Sequence, residues 1–323
     1  MSNLLDPSIL FFVFGAFAGL VRSNLEIPAP VSRFLSLYLL MALGLKGGFA
    51  LAKSGLTPTV AAGLGGAVLL AIVVPLLGYG LLRRFLPPLD AVALAATYGS
   101  VSAVTFITAT QYLETSGIAF GGHMAAAMAL MESPAIIIAV VMANVLRRRT
   151  AGPASAQTAP LSLGKVLHES FTDGAQLLLL GAMVVGLVTG EQGKAVMQPF
   201  SVDLFKGMLA FFLLDMGLLA ARNFKEVVGK SKWVLAYAVV GPLTHAALAL
   251  GLSLLLGLSA GDGALLMTLA ASASYIAVPA VLRFAIPEAN PSLYFGLSLG
   301  LTFPLNIVLG IPLYAKVASA VLL

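Results

Sequence analysis

Ten apolar runs divide this chain from end to end, near residues 8–22, 31–52, 59–82, 90–114, 119–146, 173–190, 203–221, 233–258, 262–286 and 291–320, each bounded by Gly, Pro or charge. A helix needs about 20 apolar residues to cross a bilayer, and most of the runs supply that. None shows the alternating polar and apolar pattern of a barrel strand, so the expected fold is an all-α membrane protein of ten transmembrane helices. Only 10% of the 323 residues are charged, against about a quarter in a soluble domain. That deficit argues against a soluble enzyme or a nucleic-acid partner and makes the lipid bilayer the working solvent. The segments between runs are too short for a separate soluble domain.

The net charge of +5 follows topology. Counted by loop, thirteen of the 18 Lys and Arg follow odd-numbered runs, most densely at Arg147, Arg148 and Arg149. Four, Lys53, Lys194, Lys206 and Lys316, lie on the other side, and Lys46 lies inside a run. Cytoplasmic loops carry the excess of positive charge, which predicts both termini outside a bacterial inner membrane. No Lys or Arg precedes the first run, so that run reads as a retained span. The loop over 148–172, rich in Ala, Ser, Pro and Thr, reads as a cytoplasmic linker between a first unit, 1–147, and a second, 173–323. Cys is absent, which removes disulfides, thiolate nucleophiles and Cys-bound metals.

The two units repeat. Asp90, Ser100 and Ser102 correspond to Asp262, Ser272 and Ser274 at an offset of 172, Gly44 to Gly217 at 173, and Pro134 to Pro304 at 170. Five spans per unit is an odd number, so the copies must insert in opposite orientations. Inverted repeats with polar interruptions at corresponding places mark many secondary transporters, with the substrate held near the midplane.

The interruptions fall in the fourth run, at Tyr98, Gly99, Ser100, Ser102 and Thr105, and in the ninth, at Ser272, Ser274, Tyr275 and Pro279. Broken helices expose backbone donors and the positive ends of helix dipoles, which suit a small anion. The plainer alternative is that small residues there only permit close helix packing. Lys46, Glu132 and Asp215 are the charges inside runs, and an ionisable group at that depth needs a partner or a wet cavity. They are candidates for ion or proton coupling. Lys46 and Asp215, on repeat-related runs, could pair, or Lys46 could snorkel to the membrane surface. His123, His168 and His245 show no metal-ligand spacing, and no phosphate-cradling glycine motif is present.

Several stretches together resemble the sodium-dependent bicarbonate transporter family: LGLKGGFAL, YGSVSAVTFITATQYLE, MESPAIIIAVVMAN, FKGMLAFFLLDMGLLA, GPLTHA and AASASYIAVPAVLRFAIPEANPSLYFGLSLG. They follow the family's order and cover nearly the whole chain outside the central loop. The resemblance implies core and gate parts, a homotrimer, an anion site between the broken fourth and ninth helices, and a PII-like cytoplasmic regulator as a partner. It also implies sodium as the coupled ion. The family motifs at the breaks look like SGST and SSSD, where this chain has Ser102, Ala103, Val104, Thr105 and Ser272, Ala273, Ser274, Tyr275. The motif acid is thus Tyr275, which speaks against sodium coupling. A small hydroxyl residue of the family is replaced by Lys46, a carboxylate by Leu219 with Asp215 one turn earlier, and the fifth-helix acid is kept as Glu132. A fixed ammonium at Lys46 could take the electrostatic part of a bound sodium ion.

The expected function is secondary transport of a small anion, bicarbonate first, held by Ser100, Ser102, Thr105, Ser272, Ser274 and Tyr275, with no cofactor and no enzymatic activity. Two alternatives stay open: a proton-coupled organic-anion carrier on the same fold, and a membrane sensor that binds an anion without moving it.

Overall fold

The computed structural model describes residues 6–55, 57–150, 174–224, 227 and 229–322. The linker expected over 148–172 lies, from 151 onward, outside the described residues. Among those described there are helices and turns and no strand. Among the described residues, seven largely helical stretches are long and apolar enough to cross a membrane by length and composition, one of them 50 residues long. The chain is an all-α, multi-pass integral membrane protein.

The helices are α1 (Pro7–Leu20), α2 (Ala29–Ser54), α3 (Pro58–Leu82), α4 (Pro88–Gly99), α5 (Ala103–Thr115), α6 (Met124–Thr150), α7 (Gly174–Gln198), α8 (Phe205–Asn223), α9 (Lys232–Leu256), α10 (Ala260–Ala271) and α11 (Ala277–Ala285). The last span runs from α12 (Pro291–Leu297) through π-helical turns at Ser298–Thr302 and Asn306–Gly310 to α13 (Ile311–Val321). Proline opens α1, α3, α4 and α12, where its missing N–H is lost at no cost. Side chains of Asp6, Thr57, Ser259 and Asn290 cap α1, α3, α10 and α12, each accepting from an amide that has no partner within the helix.

Helix ends fall within a few residues of the apolar runs, with two differences. The run from 119 becomes helix only at Met124. The run to 190 continues as helix to Gln198 across Gly190, whose φ of 53° breaks the helical path at a residue without a Cβ.

Two groups of helices pack chiefly within themselves. In one, α1 crosses α8 and α2 crosses α7; in the other, α3, α4, α6, α9, α10 and the last span enclose α5 and α11. Lipid tails are as apolar as Leu, so such crossings are held by close van der Waals contact rather than by exclusion of water. Glycine makes the contact close. A Cβ on Gly186 would stand 2.6 Å from the Leu45 carbonyl oxygen and 3.1 Å from Gly48 Cα, and one on Gly19 would stand 2.8 Å from Ala221 Cβ and 3.1 Å from the Leu218 carbonyl oxygen. Leu218 and Ala221 lie 173 positions after Leu45 and Gly48, the same offset as Gly44 to Gly217. Two aspartates also act alike: Asp262 accepts the Gly121 amide at 2.6 Å and Asp90 accepts the Asn290 amide at 2.8 Å.

Candidate anion site at two helix breaks

Residues 100–102 separate α4 from α5, and residues 272–276 separate α10 from α11. Both breaks are buried: Ser100, Ser102, Ser272, Ser274 and Tyr275 are each at most 5% exposed. In hydrocarbon every freed backbone group needs a partner, and most partners are found locally. Ser102 caps α5, its Oγ accepting from the Thr105 amide at 3.2 Å and the Thr105 hydroxyl at 3.0 Å. Ser274, two residues before the N-cap of α11, accepts from the first-turn Val278 amide at 3.2 Å.

The two breaks are bonded to each other. The Ser102 amide donates to Ser272 Oγ at 3.0 Å, and the Ser274 amide donates to the Thr97 carbonyl at 2.8 Å. Ser100 Oγ donates to the Glu132 carbonyl at 3.2 Å, tying the first break to α6. At the carbonyl end of α10, Ser272 Oγ donates to Leu269, Asn306 Nδ2 donates to Ala271 at 2.8 Å, and His245 hydrogen-bonds the Ala270 backbone. Tyr314 Oη steadies Asn306 by donating to its Oδ1 at 3.0 Å.

A cavity of about 180 Å³ lies against the breaks, lined by Ser102, Ala103 and Val104, by Ser274, Tyr275, Ile276 and Ala277, by Glu132 and Ser133 of α6, and by Ser36 and Gln176 across from them. Ala103 and Val104 open α5, and Ala277 opens α11; amides in a helix's first turn have no acceptor within the helix. Two positive helix ends and several hydroxyls therefore meet in one small space. Drug-sized pockets start near 300 Å³, so this volume suits a small ion with a few waters. A second cavity, of about 420 Å³, lies at the other end of the bundle, where α2 and α5 end and α6 begins.

The expected residues distribute unevenly. Ser102, Ser274, Tyr275 and Glu132 line the smaller cavity; Ser100, Thr105 and Ser272 stand behind it and brace the breaks. Tyr275 directs its phenol toward Met216 of α8, Oη to Sδ 3.8 Å, beside Ser102, with its ring 5.2 Å from that of Phe303. Lys46 does not pair with Asp215. Its ammonium lies in the larger cavity, 3.0 and 3.2 Å from the two Glu114 oxygens and 4.3 Å above the Phe205 ring. Asp215 is buried on α8, with Ser32 hydrogen-bonded to it and Arg222 near, and its Oδ2 has no hydrogen-bond partner. Sequence reasoning passed over Glu114, at the end of its run, and the uncharged Ser133, Gln176 and Asn306. An amide side chain inside an apolar run was the available signal, since it too must be satisfied at that depth.

The model of the Na+-dependent bicarbonate transporter superfamily matches residues 7–319. The chain belongs to that superfamily. No curated protein matches it individually. As a member of the Na+-dependent bicarbonate transporter superfamily it is a secondary-type membrane transporter built as a helical bundle, and not an enzyme. Superfamily membership also bears on sodium, which would travel as cargo. The oxygens beside the breaks come from Ser102, Ser274 and backbone, Glu132 is the carboxylate lining the cavity, and a phenol stands at position 275.

Proposed function

We propose that the chain carries bicarbonate across the bacterial inner membrane by alternating access, as two inverted units of five spans with a core that moves against a gate. The observation that carries this is the mutual bonding of the two breaks, Ser102 amide to Ser272 and Ser274 amide to Thr97, beside a cavity that both half-helix N-termini line. Such a cavity concentrates donors and positive dipole ends without a fixed cation, which binds a small anion strongly enough to select it and weakly enough to release it. The matching glycine crossings support the repeat, and the two groups of helices support the division into gate and core.

Uptake is independent of sodium in this proposal, because a buried phenol occupies the place of the motif acid. Glu132, in the same cavity, is the group to carry a coupled proton. Lys46 contributes to charge balance through Glu114 in the opposite cavity, and Asp215 through its neighbour Arg222. The homotrimer and the PII-like regulator rest on family resemblance alone. Glu132 also favours the second reading, a proton-coupled carrier of organic anions on the same fold.

Radiolabelled bicarbonate uptake into proteoliposomes, with sodium and pH gradients set independently, tests both. Saturable uptake indifferent to sodium is expected. Steep sodium dependence overturns the coupling assignment, and absence of saturable bicarbonate uptake beside saturable, pH-gradient-driven uptake of a labelled small carboxylate moves the substrate to the second reading.

A further inference from the structure

Ser133 of α6 is 5% exposed, lines the smaller cavity, and has no hydrogen-bond partner for its Oγ. That is unusual for a hydroxyl within a membrane helix, where the ordinary solution is to donate back to the carbonyl four residues earlier. Thr97, Thr108, Ser253, Thr268 and Ser298 all do so, at 2.8 to 2.9 Å. For Ser133 that acceptor is the Ala129 carbonyl, and Gln176 of α7 occupies it, Nε2 to O 2.8 Å. The carbonyl has two lone pairs; the amide four residues on takes one in an α-helix, and Gln176 takes the other. Ser133 Oγ is left without a partner at that carbonyl, one residue from the Glu132 carbonyl that holds Ser100.

We infer that Ser133 is a substrate-binding residue, donating a hydrogen bond to the small oxyanion held at the helix breaks, and that Gln176 is a positioning residue that keeps Ser133 available by occupying the Ala129 carbonyl. The inference rests on the proposed function and adds a third wall to the site, from α6, beside the two half-helix ends. Leaving a buried hydroxyl unpaired costs free energy, which ligand binding recovers. The arrangement also joins the two groups of helices, since α7 packs on α2: withdrawing Gln176 as the groups move apart frees the Ala129 carbonyl, lets Ser133 turn back onto it, and weakens the grip on the anion.

The test is the KM for radiolabelled bicarbonate uptake by the full chain in proteoliposomes, with thermal unfolding measured alongside. Ser133→Ala is expected to raise KM about tenfold, equivalent to about 1.4 kcal/mol, with kcat within twofold. Ser133→Thr keeps the hydroxyl and stays near wild type. Gln176→Leu frees the Ala129 carbonyl for Ser133 and raises KM as Ser133→Ala does, and the double variant is no worse than either single one. An unchanged KM in Ser133→Ala beside saturable wild-type uptake overturns the inference alone, and additive losses overturn the role of Gln176. If Ser133→Ala does not assemble, Gln176→Leu decides: an unchanged KM there overturns the inference. Absence of saturable bicarbonate uptake in the wild type overturns the proposed function first.

Discussion

The half-helices that follow the two breaks, α5 and α11, are secured to different parts of the molecule. The far end of α5 is held across the two groups, by Glu114 to Lys46 of α2 at 3.0 Å. The far end of α11 is held within its own group, where Arg147 of α6 donates to the Ala285 carbonyl at 2.9 Å and to both oxygens of Glu288. The breaks differ in the same sense. The first is three residues long and leans on the second and on α6; the second is five residues long and leans on the last span through Asn306. One half-helix is thus tethered by a bond that relative motion of the groups must break, the other by bonds that such motion leaves intact. A transporter needs both kinds: one contact that marks a state, and one that preserves the site through every state.

This contrast can be broken most forcefully at Asn306. Asn306→Leu strands the Ala271 carbonyl and the Tyr314 hydroxyl, at about 1–3 kcal/mol for each buried unpaired group. We expect a loss of about 3 kcal/mol by thermal unfolding in detergent and no measurable uptake, whereas Ser100→Ala, which removes the single bond to Glu132, costs about 1 kcal/mol. Equal losses would make the two breaks equivalent.

Next in size are the serines at the half-helix starts. Ser102 accepts two bonds and Ser274 one, so Ser102→Ala should cost about 2 kcal/mol and Ser274→Ala about 1 kcal/mol, read in the same unfolding assay. Position 275 sharpens the contrast in kind. Tyr275→Phe gives up a long contact to sulfur and a hydrogen bond with Ser102 and should cost about 1 kcal/mol, while Tyr275→Asp restores the family's acid and should make uptake rise with external sodium.

The tethers give smaller effects. Lys46→Met together with Glu114→Gln removes a partly exposed pair worth about 0.5–1 kcal/mol, shifting the balance between states about two- to fivefold. The chain has no Cys, so a single cysteine at Thr110, in the larger cavity, reports the shift by its labelling rate. The Arg147 partnership holds the Glu288 carboxyl below the usual carboxylate range. A depressed folded value stabilises above the unfolded one, about 4.3, and the gain is lost as pH falls through the folded value. Glu288 is 47% exposed, so screening leaves a few tenths of a kcal/mol. Glu288→Gln, which leaves the Arg147 bond to the Ala285 carbonyl in place, should therefore differ from wild type slightly at pH 7 and converge with it on acidification below the carboxylate range.

The spans were legible because each apolar run ends in residues that cannot stay in hydrocarbon, and the breaks because Ser100 and Ser102 are answered 172 positions on by Ser272 and Ser274. What escaped reading was partnership. Lys46 stood out as a lone charge, yet its partner sits at a run's end, where Glu114 looked like ordinary surface. Ser133 was indistinguishable from any packed helix serine until the Gln176 amide was seen on its usual acceptor. The π turns of the last span, one of which carries Asn306, leave no composition signal, since they add one residue to a hydrogen-bonded loop without changing the residues involved.

At the glycine crossings of α1 with α8 and α2 with α7, main chain lies against main chain or against the methyl of an alanine, with no larger side chain between. A seam of that kind has no rotamers to shuffle and no slack to absorb a tilt, so it resists shear as a welded joint does. In the mechanism proposed above, the stroke would then be made by the other helices against this frame, with its length fixed by where the frame stops it.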